Sequence, residues 1–385
     1  MESRLWCLTS NSDIKSSALN AVIVNTDIKW ESFAVSSAQI KDNVEQPIGI
    51  GGLICCKNRI KAVLQQLGGN APKKYECIVS IENGIDEDEQ GHFDVCHILM
   101  YDTRTGIYYY NRGGNVYFEK KYLELARQTV TNTIDASPLG IQFTVGQMMK
   151  DFEFRDEKNW MKTVPCIVTG NTKDRHVQIQ EVLTPVFNRF RKKQLLPLDI
   201  VGSITYDLEF KKNVVFQDLG LILSQKNLKD FFFQCCLRTL KRQGVEKVDY
   251  VVGIDARGFY LGPVLSNELN AGFIPIRKKG KLPGNTKSKS YSTEYSSDEM
   301  EIQTDLIPFE YDRPTRYTFL IVDDLVATGG SLIAAANLIQ ETYGPSFVNI
   351  VGCYCPLYVK PLLESTRQRF DRCDLKLFVS HFEDF

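Results

Sequence analysis

The sequence predicts an α/β protein of two domains, and three observations carry that prediction. At 385 residues the chain exceeds what one ordinary core supports. Short apolar runs alternate with helical stretches on both sides of a polar, charge-rich passage, residues 171–196. In the second half the apolar runs are unbroken, as in Phe319-Leu320-Ile321-Val322, which marks parallel strands covered on both faces.

In the first half, RLWCLTS (residues 4–10) reads as a strand and IKSSALNAVIV (14–24) as the helix that follows. YECIVSIENGI (75–85) and FDVCHILMYD (93–102) read as strands joined by an acidic turn. The polar passage reads as a linker containing one amphipathic helix. The expected domains are therefore residues 1–174 and 199–385, joined by a linker at 175–198. In the second half, KDFFFQCCLRTLKRQG is a helix ended by Gly244, and DYVVGID a buried strand. FYLGPVLSNELNAG is a helix stopped by Gly272, FIPIRKK the next strand, and VNIVGCYC a later one. The long polar segment 278–306 reads as a lid or a disordered insertion.

With 46 basic and 47 acidic residues there is no global field to hold nucleic acid or an anionic membrane, so a bound polyanion must be small and locally gripped. No apolar run is long enough to span a bilayer, and the start MESRLWCLTSNSD is not a signal peptide. The eleven cysteines form no CxxC pair and the four histidines no zinc pattern, which points to buried, reduced thiols in a cytoplasmic protein.

Residues 318–338, TFLIVDDLVATGGSLIAAANL, combine the features that matter most. A central strand delivers Asp323 and Asp324 to its carboxyl end, where ligands bind in open α/β sheets. Two adjacent carboxylates repel, so a diol, metal or cationic centre is expected there. Behind them Ala327, Thr328, Gly329, Gly330 and Ser331 can converge backbone N–H groups at the start of a helix, a cradle for phosphate. No Walker lysine and no Rossmann fingerprint is present. One polyol grip and one phosphate grip on the same sugar is the reading left.

VDDLVATGGS resembles the ribose-5-phosphate loop of type I phosphoribosyltransferases. GIDARGFYLGPVLSNELNAGFIPIRKKGKLPG, YSTEYSSDEMEIQ and VVFQDLGLIL resemble the adenine-specific members, over about Val201–Phe378. The resemblance implies that Asp323 and Asp324 hold the ribose hydroxyls of phosphoribosyl pyrophosphate (PRPP) and that residues 327–331 hold its 5-phosphate. It implies a pyrophosphate turn at Asp255, Arg257 and Gly258, with positive charge from Arg277, Lys278 and Lys281. Glu294 in the lid becomes the general acid/base, with Tyr291 and Tyr295 on the lid's underside, and Val215, Phe216 and Gln217 lie against adenine. Magnesium would travel with PRPP; the products would be AMP and pyrophosphate, and the assembly a homodimer. Gln217 stands where the family commonly has arginine, and Lys212-Asn213 where it has proline-glycine, which opens the choice of base.

TSNSDIK (9–15) resembles the start of the inosine/xanthosine triphosphatases, with Ser10, Asn11 and Lys15 as implied nucleotide contacts. VEQPIGIGGLICCKNRI would supply Lys57 and Arg59, and the strand from Ile78 a metal-facing Glu82 with Asp94 near it. The family's T-x-G-K element appears as Thr144-Val145-Gly146-Gln147, with glutamine for lysine. An active triphosphatase and a silent copy both remain open, as do a 6-oxopurine transferase and a non-catalytic PRPP sensor for the second half. A lid carrying Glu294 speaks against a sensor, and the lack of a basic helix-turn-helix against a DNA-binding repressor.

Overall fold

The computed structural model describes residues 5–35, 46–128, 140–141, 144–152, 161, 166–211, 214–292, 297–307 and 316–382. The chain divides into two compact units, Met1–Ser224 and Gln225–Asp384. Among the described residues no helix is long and apolar enough to cross a membrane.

The first unit runs β1 (Leu5–Leu8), α1 (Asp13–Ile23), β2 (Lys29–Ser32), β3 (Gln46–Pro47), α2 (Gly51–Leu67), α3 (Ala71–Lys74), β4 (Cys77–Asp88), β5 (Gly91–Asp102) and β6 (Tyr108–Tyr117). It continues with α4 (Lys120–Gln128), β7 (Gly140–Ile141), α5 (Val145–Phe152), α6 (Arg175–Lys192), α7 (Pro197–Ser203), β8 (Thr205–Lys211), β9 (Val214–Asp218) and α8 (Gly220–Ser224). Its main sheet has the order β2-β1-β4-β5-β6; β1 is parallel to β2 and β4, whereas β4, β5 and β6 are antiparallel.

The passage expected as a linker carries α6, and α6 is part of this unit's core. Its Ile179, Val182, Leu183, Val186, Phe187 and Phe190 pack with Trp6, Ile98, Met100 and Tyr109. An apolar residue every third or fourth position gives the helix one buried stripe, and the charged residues between them made the passage look like a connector. The buried pair Arg189–Asp199 (3.0 Å) then ties α6 to α7, and Asp199 also accepts the N–H of Tyr110 at 2.8 Å.

The second unit runs α9 (Lys226–Arg242), β10 (Tyr250–Ile254), α10 (Gly258–Glu268), β11 (Gly272–Lys278), β12 (Thr286–Ser292), β13 (Ser297–Gln303), β14 (Tyr317–Val322) and β15 (Leu325–Val326). α11 (Gly330–Tyr343), β16 (Val348–Cys355), β17 (Leu357–Tyr358), α12 (Leu363–Asp371) and β18 (Leu377–Val379) complete it. Seven strands form one sheet in the order β12-β13-β11-β10-β14-β16-β18. The strands from β11 to β18 pair in parallel, so both faces must be covered. Ile274, Phe319 and Ile321 meet α11 residues Leu332, Ala335 and Ile339 in one buried cluster. The segment read as a lid or a disordered insertion is ordered in its described residues and adds an antiparallel hairpin, β12–β13, to the sheet edge at β11.

Candidate functional site

The carboxyl ends of β10 and β14 bring most of the expected second-half residues together. Asp323 and Asp324 directly follow β14, where its apolar run stops. Asp323 is half-buried; Asp324 is 2% exposed. The N–H of Asp324 donates to Asp323 Oδ1 at 2.9 Å, and the Asp324 carbonyl accepts the N–H of Leu357 at 3.0 Å. Burial, then the neighbouring Asp324 charge, pushes the Asp323 carboxyl well above its usual range. Burial also raises Asp324, with Arg257 opposing it.

Arg257 comes from the turn after β10, which contains a cis Asp255–Ala256 peptide, and its Nε lies 3.1 Å from Asp324 Oδ2. Gly258 begins α10 against the end of β14. A Cβ there would sit 2.6 Å from the Val322 carbonyl oxygen, so only glycine lets the two chains approach this closely. Arg277 Nε donates to Asp255 Oδ2 at 3.2 Å, and its Nη1 to the Lys281 carbonyl at 3.2 Å. Lys278 projects to the opposite face of β11 and pairs with Asp298 at 3.3 Å. Burial raises the Tyr291 hydroxyl pKa, and the charges of Asp298, Asp323 and Asp255 raise it further.

The loop 327–331 leads into α11, whose first N–H groups have no intrahelical acceptor. Gly329 caps the helix in the left-handed region (φ 75°). Carbonyls of the loop are drawn away from that opening: Thr366 Oγ1 donates to Ala327 O at 2.6 Å, and Arg369 reaches Thr328 O at 3.4 Å. Ser331 lies in the first turn of α11. A carboxylate pair, one member buried and the other half-buried, and an amide-rich helix start therefore lie within one strand–turn–helix stretch. Val215, Phe216 and Gln217 lie on β9, which pairs with β8 in the first unit (Tyr206 opposite Gln217). Glu294, Tyr295, Lys212 and Asn213 lie outside the described residues. Glu301 was not singled out by the sequence. It is 3% exposed, and its Oε1 accepts the N–H groups of Lys281 and Leu282 at 2.8 and 2.7 Å. Glu301 alternates with the buried Met300 and Ile302 and shares its face of β13 with Glu299 and Gln303, so in the sequence it looked like one more solvated acid.

In the first unit, Lys15, Arg59 and Glu82 converge. Lys15 Nζ lies 3.4 Å from Glu82 Oε2, and Arg59 pairs with Glu82 Oε1. Lys57 does not join them: it is 4% exposed, donates to the Ile204 carbonyl and lies over the Tyr108 ring, and burial pushes its pKa well down. Asp94 is not near Glu82 either. Glu82 pairs with His97 and Ile85 with Asp94, so the period of two puts the two acids on opposite faces of the sheet. Asp94 is held there by Arg175 at 2.7 Å and Gln178 at 2.9 Å. Ser10 Oγ accepts the N–H of Ser12 at 3.2 Å, and Asn11 is exposed. Gln147 caps α5: its Oε1 accepts the Thr144 N–H at 2.6 Å while Thr144 Oγ1 accepts the Gln147 N–H at 3.0 Å.

Comparison with known proteins gives the second half its family. The model for the phosphoribosyl transferase domain matches residues 236–383. Adenine phosphoribosyltransferase of Candida albicans is 43% identical over 133 residues, 34% of this chain and 65% of the relative. That of Helicobacter pylori (strain ATCC 700392 / 26695) is 43% identical over 131 residues, 34% of this chain and 69% of the relative. The chain thus spans about two thirds of these relatives' length. The solved adenine phosphoribosyltransferase of Saccharomyces cerevisiae is 30% identical, with 48% of this chain and 97% of that one covered at a TM-score of 0.41. With more than two thirds of the Helicobacter pylori relative matched at this identity, the chain belongs to the adenine phosphoribosyltransferase family.

Proposed function

We propose that the chain transfers the 5-phosphoribosyl group of PRPP to adenine, giving AMP and pyrophosphate. The observation that carries this reading is the stretch from β14 to α11: a carboxylate pair braced by Arg257 (3.1 Å), then a helix opened by left-handed Gly329. In this reading Asp323 and Asp324 take the ribose hydroxyls and residues 327–331 the 5-phosphate. The turn Asp255–Gly258, with Arg277 and Lys281, takes the pyrophosphate, and Lys278 adds charge at longer range. The C1′–oxygen bond to pyrophosphate breaks as adenine N9 bonds to C1′, and Glu294 manages the proton on the purine. Carboxylates beside the ribose stabilise positive charge developing on the sugar, and the basic residues stabilise charge on the leaving group.

Asp323 and Asp324 offer the hard oxygen donors that suit magnesium, and among the described residues no group of three or more His, Cys, Asp or Glu converges. The ion therefore takes most of its ligands from substrate and supplies charge neutralisation when bound. The same reading has the enzyme acting in the cytoplasm, on the pattern of its cysteines, and as a homodimer, on the family resemblance. Mixing the protein with PRPP and magnesium, and separately with adenine, hypoxanthine and guanine, tests the proposal. Adenine alone should yield nucleotide; conversion of hypoxanthine alone would refute the base assignment and point to Gln217.

For the first unit we infer a catalytically silent relative of the triphosphatases. Glu82 is engaged by Lys15 and Arg59, Asp94 faces the other way under Arg175, and Gln147 serves as a helix cap. These residues do not offer a metal an open carboxylate face. The full chain incubated with inosine triphosphate and magnesium should release no pyrophosphate; clear release would overturn the inference.

A further inference from the structure

We propose that Glu301 is a positioning residue for the pyrophosphate end of the site, acting through the turn 280–286 on Arg277; this rests on the transferase reading above. The antiparallel pairing of β11 and β13 sets Glu301 directly opposite Arg277, so both side chains leave the same face of the sheet. Glu301 does not bridge to Arg277 as opposite charges in such a pair commonly do. Its carboxylate turns instead to the backbone, accepting Lys281 N–H at 2.8 Å and Leu282 N–H at 2.7 Å, with Thr286 Oγ1 at 3.5 Å from its other oxygen.

The turn so held is shaped by two glycines in the left-handed region, Gly280 (φ 79°) and Gly284 (φ 77°). Fixing its N–H groups fixes where the Lys281 carbonyl points, and that carbonyl accepts Arg277 Nη1 at 3.2 Å. With one end of the guanidinium so placed, Nε meets Asp255 Oδ2 at 3.2 Å. Two residues later Arg257 reaches Asp324 at 3.1 Å. A line of charge-assisted contacts thus runs from β13 to the acidic pair at the end of β14. A carboxylate suits the first link because an ionised oxygen accepts two N–H groups more strongly than a neutral amide oxygen does. Burial would raise its pKa, but the N–H groups of Gly280, Leu282 and Lys281 outweigh this and hold it below its usual range.

The test is a kinetic cycle. Glu301→Gln keeps the shape and removes the charge, and should raise KM for PRPP about tenfold, the scale of one charge-assisted hydrogen bond. The kcat and the KM for adenine should stay within about twofold of the parent. In an Arg277→Ala background the same change should add little, because the link it acts through is gone. A fall in Tm with KM for PRPP unchanged, or equal factors in both backgrounds, would overturn the proposal. If Glu301→Gln does not fold, Glu301→Asp, which keeps the charge and shortens the reach, should show the same split. Should the parent transfer nothing to adenine, the transferase reading fails; calorimetry with magnesium pyrophosphate then decides the positioning role by itself. Weaker binding by Glu301→Gln supports it, and equal binding sinks it.

Discussion

Arg257 Nε lies 3.1 Å from Asp324 Oδ2, joining the turn after β10 to the end of β14 across two strands that are neighbours in the sheet. Asp324 is 2% exposed, so its charge depends on that guanidinium. Removing the arginine both unbraces the acid and deletes a cation from the proposed pyrophosphate site. Arg257→Ala and Asp324→Asn should each lower kcat/KM for PRPP on the order of 100-fold with the fold retained, as expected for loss of one electrostatic contact to the transition state. Steady-state kinetics with circular dichroism checks this; a parental rate in either variant removes that residue from the mechanism.

Asp323 presents the opposite balance of stability and activity. Its folded pKa is raised by burial and by Asp324, so the protonated form is favoured in the fold. Stability from this group is present below the unfolded carboxylate pKa and is lost as pH rises through the folded value. Asp323→Asn keeps an oxygen for the Asp324 N–H and removes the repulsion. Its Tm at neutral pH should rise by a few degrees, roughly 2–4 °C per kcal/mol gained. The gain should shrink as the pH is lowered, and transferase activity should fall. A lower Tm than the parent at neutral pH would contradict the assignment.

Gly329→Ala should weaken phosphate binding through the backbone. The residue sits at φ 75°, and an added Cβ would meet Phe370 Cε2 at 2.3 Å. The left-handed conformation alone costs about 1–2 kcal/mol for a side-chain-bearing residue, and the contact adds to it. A lower Tm and a clearly weaker titration with AMP are expected. Unchanged values for both would show that the loop does not need this geometry.

His97 should make the first unit acid-sensitive. The ring is fully buried between Gly52 and Gly84, its Nδ1 lies 2.8 Å from Tyr110 Oη, and its Nε2 has no hydrogen-bond partner among the described residues. Burial, then the Arg112 charge, lowers its pKa from 6.5 to about 3. The unfolded chain therefore binds the proton first. Stability is complete above about pH 6.5 and drains at up to about 1.4 kcal/mol per pH unit as the pH falls toward the folded value. Urea midpoints measured from pH 7 to pH 4 should decline in the parent and decline less in His97→Asn. Equal slopes would remove His97 as the cause.

Much of the second unit was legible because its chemistry is local. The unbroken FLIV run, the acids at its end and the small residues behind them occupy one strand–turn–helix, and α11 begins at Gly330, one residue before Ser331 where the sequence placed it. What depends on distant pairing was not legible. The hairpin β12–β13 looked like disorder because lysines and serines alternate along β12; its order comes from pairing with β11 and from Glu301 beneath the turn. The compact division falls after Ser224 instead of near Arg175, because α6 hides its apolar stripe among charges until β4, β5 and β6 form a surface for it. The separation of Glu82 from Asp94 needs the strand register, which no motif states.

Calorimetric titration of the purified chain with magnesium and PRPP tests the central claim most directly. Saturable heat near one equivalent per chain, abolished by Asp324→Asn, is the predicted result. No heat from the parent protein at any concentration reached would contradict it.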